Sequence, residues 1–550
     1  MEREMAKKAH KNQVKVVIPE YQTIREIIVK GTAAGGDKKQ FMFLDKNKNL
    51  QENNYNQTWQ IISSLGTYFF SRGFKNKSKI AIIAENRIEW AHAYYATVVG
   101  GNVSVPMDSK LGEDELEDQL IRCDCDALVY SPKYAKMVEN FKKNPAVPVK
   151  EYFNIDDFDT IKDAGAKLIA DGDDSFDKVE IAPNDLACIV FTSGTTGKSK
   201  GVMLTHKNVA SNCSSSCRVL TGRHAIAFLP LNHTLSWVSA LFATYIVVEW
   251  GYLCDSLKDI QKDIVNFKPY NFTGVPLVVE TIYDKVWKTA RKMGKEELLK
   301  KGLKISNVLM KLGIDVRRKI FKMVIDNLGG NLDMIICGGA YLDPKYEKGL
   351  YDLGIDVFNG YGLTECSPVI TCNHPGKFKF GSVGTPLDCC EIKIVDPDED
   401  GVGEIYVKGT NVMVGYYGDP EATAEAFDGE WFKTGDFGRI DKDGFLFMVG
   451  RKKNLIVLSN GKNVSPEELE EKLMTAIPYI KEVLVYQEDR KIVGEFFLNE
   501  EDYPDAREHL NSDVTAFNRT MPSFKNINKT KIRDDEFPKT TTLKIARKYN

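Results

Sequence analysis

The segment whose residue types are best suited to chemistry is Phe191-Thr192-Ser193-Gly194-Thr195-Thr196-Gly197-Lys198-Ser199-Lys200-Gly201. Glycine and small hydroxyl residues allow several backbone N–H groups to converge on one point, and the two lysines add positive charge. That combination suits phosphate oxygens, which need many donors and charge neutralisation. A solvated glycine–serine linker has the same composition, so the loop has to be read with its surroundings. Gly197-Lys198-Ser199 invites comparison with the Walker loop. The Walker pattern needs glycine five residues before Gly197, where Thr192 stands, and no helix-forming apolar run follows at once. A P-loop hydrolase is therefore set aside.

Such a loop needs a rigid frame. Leu186–Phe191 before it reads as a buried strand. Upstream, Thr58–Arg72 has helical apolar spacing with Gly73 as a stop. Lys79–Ala84 reads as a strand, Glu89–Val99 as a helix, and Val103–Val105 and Ala127–Tyr130 as strands. This alternation predicts parallel sheets with helices on both faces, with ligands beyond the carboxyl ends of the strands. From Leu332 to Gly409 the pattern turns β-rich. Cys390–Val395 and Gly403–Val407 flank the turn-rich acidic loop 396–401, as in a small antiparallel sheet or barrel. Ser465-Pro466-Glu467-Glu468 is a capping box that starts a helix into Leu473, and Glu482–Tyr486 with Ile492–Leu498 reads as a hairpin.

Composition narrows the class. The 550 residues include 43% hydrophobic and 27% charged residues, which suits a globular chain of several folding units. A net charge of −3 gives no reason to expect a nucleic-acid partner. The 11 cysteines show neither CxxC pairs nor zinc spacing, and the N-terminus has no apolar signal core, so a reduced, cytoplasmic protein is expected. The apolar stretch Val238–Val248 stops at Glu249, too short for a membrane span.

The loop and several later motifs together resemble the adenylate-forming, or AMP-binding, enzymes: acyl-CoA synthetases, adenylation domains and luciferases. The similarity runs in order from about Thr58 to Lys544. It implies an α/β fold in which residues 1–450 form two α/β subdomains plus a small β-barrel at about 375–440. A smaller, mobile α+β domain would follow at 451–550. The resemblance makes Thr192, Ser193, Gly194, Thr195, Thr196, Gly197 and Lys198 phosphate contacts of ATP. Gly338-Gly339-Ala340, after the strand Met334–Cys337, would lie against adenine; a tight turn without ligand is the alternative. In Asn359-Gly360-Tyr361-Gly362-Leu363-Thr364-Glu365, after Ile355–Phe358, Tyr361 would stack on adenine, Thr364 bond the α-phosphate and Glu365 help hold magnesium, an ion that prefers hard oxygen ligands. Tyr361 as core packing is the plain alternative.

In Trp431-Phe432-Lys433-Thr434-Gly435-Asp436 the resemblance assigns Asp436 to the ribose hydroxyls, with Arg451 as a further ribose or phosphate contact and Lys453 as the hinge. It places the catalytic lysine at Lys544, although Leu543 stands where the family has glycine; Lys539 is the second candidate. Gly461 and Lys462 match positions lining the coenzyme A channel. Adenylation would join a carboxylate to the α-phosphate with release of pyrophosphate, after which a thiol would take the acyl group.

For the acid, Leu229–Trp237 resembles the family's acid-pocket motif. His233 would lie beside the reacting carboxylate and Trp237, one turn on, would wall the pocket or simply fill the core. The run Trp237–Val248 offers no arginine for a second carboxylate. Together with Val275–Tyr283 and the wording around Gly338–Ser367, it looks most like the long-chain fatty acyl-CoA synthetase branch, which implies a medium- or long-chain fatty acid. An aromatic acid, a carrier protein as acyl acceptor, or a catalytically idle nucleotide-binding protein on the same fold are the alternatives. Between Lys285 and Lys322 stand 13 Lys/Arg against Glu296, Glu297 and Asp315, and Leu303–Leu328 has amphipathic spacing. Weak peripheral contact with an anionic membrane is one reading and a solvated helix face the other.

Overall fold

The computed structural model describes residues 17–192, 199–220, 223–254, 257–457, 463–539, 545 and 547. The chain divides into two compact units. The first is Met1–Glu391 with Val407–Phe432, and the second is Ile392–Tyr406 with Lys433–Asn550.

The first unit holds two large sheets. One orders its seven strands Gly415–Tyr416, Lys200–Thr205, Leu186–Thr192, Val103–Pro106, Lys79–Ile83, Ala127–Tyr130 and Glu151–Asn154. The inner strands pair in parallel, Ile80 opposite both Ser104 and Ala127. Ile80–Ile83 and Ala127–Val129 in them are buried because helices cover both faces. The helix Tyr55–Ser71 starts at an Asn54–Gln57 capping box, and Ile88–Val99 is buried on nearly every side. The second sheet has nine strands. At its centre Asn271–Gly274, Met334–Cys337 and Asp356–Gly362 run in parallel.

Strand Asp356–Gly362 runs further than sequence predicts. It continues through Asn359-Gly360-Tyr361-Gly362 because Val369–Cys372 turns back and pairs with it, Gly360 opposite Cys372 and Tyr361 opposite Thr371. Gly362 is obligatory at this close approach: a Cβ there would stand 1.9 Å from the Pro368 carbonyl oxygen.

In the second unit, the Asp436–Ile440 part of strand Trp431–Ile440 pairs with Leu446–Arg451. Further on, Ile480–Glu488, Lys491–Leu498 and Lys529–Arg533 form a three-stranded sheet under helices Pro466–Ala476 and Ala506–Asn518. Ser465 caps the first of these helices through the Glu468 N–H, as its sequence predicts. The hairpin turns at Asp489-Arg490, both at positive φ, as a two-residue turn compatible with the sheet twist requires. Its core gathers Val464, Leu469, Val485, Phe496, Leu510 and Val514.

The segment Leu303–Leu328 is not one amphipathic helix. Helix Glu296–Lys311 ends before Gly313, which sits at φ +77°, and two short helices follow at Arg317–Ile320 and Lys322–Asn327. Nor do the first two members of Arg317-Arg318-Lys319 form a surface patch. Arg317 is buried, paired with Asp315 and Asp356 and stacked 4.1 Å from the Tyr351 ring centroid, while Arg318 pairs with Asp333.

Candidate functional site

The glycine-rich segment joins two antiparallel strands. Phe191 lies opposite Gly201 and Thr192 opposite Lys200. The element after it is thus a strand, Lys200–Thr205, which removes the Walker geometry on structural grounds as well. Ser193, Gly194, Thr195, Thr196, Gly197 and Lys198 lie outside the described residues. Thr192 at the near end is half-buried, and Ser199 at the far end is buried and held firmly. Arg122 donates to the Ser199 carbonyl at 2.8 Å and to its Oγ at 3.1 Å, and its guanidinium lies 5.0 Å from the Phe191 ring centroid. Arg122 therefore clamps both ends of the loop.

Glu365 sits in the short 3-10 turn Thr364–Cys366, half-buried like Tyr361 and Thr364. Two bonds fix the turn: the Met413 N–H donates to the Glu365 carbonyl at 2.8 Å, and the Tyr416 hydroxyl donates to its Oε1 at 3.1 Å. Tyr416 itself belongs to the strand paired with Lys200–Thr205, opposite Val202. The Lys200 ammonium rests 4.8 Å from the Tyr416 ring centroid. One tyrosine thus connects the strand leaving the glycine-rich segment with the Glu365 carboxylate. Burial, then the neighbouring Glu365 charge, pushes the Tyr416 hydroxyl well above its usual range, so it stays a donor.

The other first-unit residues lie at strand ends nearby. Gly338 follows Met334–Cys337, and its N–H donates to the Gly274 carbonyl at 3.1 Å. Gly339 takes φ +84°, so the turn needs glycine there, and Ala340 is exposed. A Cβ on Gly338 would meet Leu235 at 3.6 Å and the Gly360 carbonyl at 3.7 Å. This places the His233–Trp237 turn, the Gly338 turn and the Asn359–Gly362 segment beside one another. His233 is half-buried and stands at the N-cap position of the helix Thr234–Ser236, its carbonyl accepting from the Ser236 N–H. The chain then forms a π-helix, Trp237–Phe242, a rare geometry that is frequent at functional sites. Trp237 is fully buried, donates its indole N–H to the Leu231 carbonyl and lies 4.9 Å from the Tyr94 ring centroid. A small apolar cavity adjoins this turn, lined by Phe41, Ala225, Ala227, Ala240, Leu241 and Leu253.

In the second unit, Asp436 is buried, and the Arg451 Nε lies 3.2 Å from its Oδ1, the two residues facing each other across paired strands. Thr434 braces the approach by donating to the Ile405 carbonyl and accepting from the Asp436 N–H. Lys453 lies in the 3-10 turn Lys452–Asn454, its ammonium pushed below the usual lysine range by burial and by Arg451. On either side Lys452 pairs with Glu404 and Asn454 bonds Glu467. Lys539 is held between Glu482 and Glu536, both at 2.7 Å. Gly461, Lys462 and Lys544 lie outside the described residues.

Magnesium, implied by the resemblance, can be tested against these groups. Among the described residues no three His, Cys, Asp or Glu side chains gather to hold a metal. The half-buried carboxylate of Glu365 stands beside the strand leaving the glycine-rich segment. That donor set fits an ion carried mainly by nucleotide phosphates.

Residues 32–417 match the sequence profile of the AMP-binding enzymes, and residues 453–549 match that of the AMP-binding enzyme C-terminal domain. The chain belongs to the AMP-binding enzyme family. Among curated relatives, long-chain-fatty-acid–CoA ligase 5 of Rattus norvegicus is 28% identical over 539 residues, covering 92% of this chain and 76% of that one. Long-chain-fatty-acid–CoA ligase 1 of Homo sapiens is 30% identical over 477 residues, covering 79% and 67%. Solved AMP-binding structures share the fold. An anthranilate CoA ligase in complex with anthranoyl-AMP superposes with TM-score 0.75 at 19% identity, covering 96% of both chains. The O-succinylbenzoate coenzyme A synthetase of Bacillus subtilis, in complex with ATP and magnesium, gives 0.73 at 22% identity, covering 94% and 98%. In sequence, this member of the family resembles long-chain fatty acyl-CoA synthetases.

Tyr416 and Arg122 were not legible in the sequence. Their partners lie 51 and 77 residues away, beyond any local periodicity.

Proposed function

We propose that this AMP-binding enzyme is an ATP-dependent acid:CoA ligase acting on a medium- or long-chain fatty acid through an acyl-adenylate. The observation that carries the reading is the Lys200–Tyr416–Glu365 connection, which sets a cation and a fixed carboxylate together at the strand that follows the glycine-rich segment. The named relatives support the acid class.

In the first step a carboxylate oxygen attacks the α-phosphorus and pyrophosphate leaves. Two anions must meet, so charge neutralisation is the main task. Glu365 would help hold magnesium, which would supply part of that charge. Thr364 bonds the α-phosphate, Tyr361 and the Gly338-Gly339-Ala340 turn hold the adenine, and Asp436 with Arg451 takes the ribose. Lys198 and Lys544 supply the remaining positive charge. In the second step the thiol of coenzyme A attacks the acyl carbonyl and AMP leaves, with Lys453 as the hinge and Gly461 and Lys462 toward the thiol donor. His233 stands beside the carboxylate and Trp237 forms a buried wall of the acid pocket.

Pyrophosphate release measured across fatty acids of graded length and aromatic acids, with coenzyme A or a carrier protein, tests this. Release that depends on a medium or long acid and is completed only by coenzyme A is expected. Preference for an aromatic acid, transfer to the carrier protein, or ATP binding without acid-dependent release would overturn it.

A further inference from the structure

Helix Glu296–Lys311 has two apolar faces. One carries Leu299, Ser306 and Met310, all buried, and Leu299 belongs to the core cluster of the first unit. The other carries Leu298, Ile305 and Val308, continued by Leu312 at the cap, at 66, 57, 59 and 70% exposure. Leu298, Ile305 and Leu312 recur every seven residues and Val308 lies one turn from the last two, so they form a single stripe. Beyond the cap, Ile314 and Met323 are also more than half exposed.

This concentration is not general. Of 21 large hydrophobic side chains exposed among the described residues, nine fall between Leu277 and Met323. Apolar surface gathered in one place marks an interaction site, whereas single exposed residues do not.

The surrounding charge indicates the partner. Lys301, Lys304 and Lys311 are exposed on the same helix, Lys288 on the preceding helix Pro276–Lys292 and Lys319 beyond it. None of these five forms an ion pair among the described residues. By contrast, Lys300, Arg317, Arg318 and Lys322 are taken up by acids of this chain. An apolar stripe with one unneutralised lysine, Lys301, within it and Lys304 and Lys311 along its edge is the pattern of a helix lying in an anionic bilayer surface, its apolar side chains among acyl chains and its ammonium groups snorkelling to the headgroups. No described helix is long and apolar enough to cross a membrane, so the contact is peripheral.

We propose that the outward face of Glu296–Lys311, with Leu312, Ile314 and Met323, docks on membranes containing anionic phospholipid. The proposal does not depend on which acid the enzyme activates.

Co-sedimentation of the full chain with phosphatidylcholine vesicles, with and without phosphatidylglycerol, tests it. Binding should be stronger by about tenfold or more with phosphatidylglycerol and fall with added salt. Ile305→Glu with Leu312→Glu, and separately Lys301→Glu with Lys304→Glu, should each abolish that gain. Their melting temperatures should stay at the wild-type value, because these side chains are exposed. No preference for phosphatidylglycerol, or equal binding by both double variants, would overturn the proposal. So would a wild-type dimer in light scattering that Ile305→Glu dissociates, because a second copy would then cover the face.

Discussion

Glu365 shows how much one side chain depends on its neighbours. Its carboxylate is held by the Tyr416 hydroxyl and its backbone by Met413, so it is fixed before any ligand arrives. Preorganised charge of this kind is worth more than the same charge on a loose chain. Glu365→Gln should lower acid-dependent pyrophosphate release by about 10²–10³-fold while leaving the melting temperature near the wild-type value. Tyr416→Phe should cost less, about tenfold, and mainly as a raised KM for magnesium-ATP, because it frees the carboxylate without removing it. Steady-state kinetics on both variants separates the two roles. Glu347 gives a second, independent residue-scale prediction. Burial pushes its carboxyl up to about 8 from 4.5, against a single donation from the Gly381 N–H. The native state therefore holds this proton more tightly than the unfolded chain. The stability it contributes is fully present below about pH 4.5 and is lost as pH rises toward about 8. Melting curves of Glu347→Gln should lack that decline and cross above wild type near the upper end. Parallel pH profiles for the two proteins would contradict the assignment.

At the scale of elements, Gly362 sets the bend between strand Asp356–Gly362 and the turn carrying Thr364 and Glu365. Gly362→Ala would drive a Cβ into the Pro368 carbonyl and should destabilise the fold by about 1–3 kcal/mol, visible in urea unfolding. Unchanged stability would mean that this backbone approach is looser than the geometry states. Elements with strong local signals were legible in the sequence. Ala127–Tyr130 and Met334–Cys337 are apolar runs with turn residues at both ends, and Pro466–Ala476 begins at a sequence-visible cap. What was not legible depended on distant partners. Strand Asp356–Gly362 extends past Phe358 only because Val369–Cys372 pairs with it. The reading of Leu303–Leu328 as one amphipathic stretch missed the break at Gly313 and the burial of Arg317 against Asp356, which periodicity does not encode. The apolar exposure of Ile305 and Leu312 was equally hidden, since sequence shows that a residue is apolar but not which side of the helix the core takes.

At the scale of the whole molecule, the family's order of motifs was legible because it needs only residue identities along the chain. The two compact units were less so. Ile392–Tyr406 groups with residues beyond Lys433 through strand pairing rather than through sequence adjacency. On the proposed function, the two half-reactions depend on different residues. Lys544→Ala should reduce adenylation by about 10²-fold or more yet spare thioester formation from preformed acyl-adenylate. Stopped-flow traces of each step would decide, and equal loss in both would reject the assignment to Lys544.

The central claim is that the acid is activated by bonding to the α-phosphorus of ATP. Turnover of a fatty acid labelled with ¹⁸O in its carboxylate, in the presence of coenzyme A and magnesium-ATP, tests it directly. Mass spectrometry should find one labelled oxygen in AMP and none in the inorganic phosphates, because the bridging oxygen leaves with AMP when the thiol attacks the carbonyl. Label in inorganic phosphate with ADP as the co-product would contradict the account.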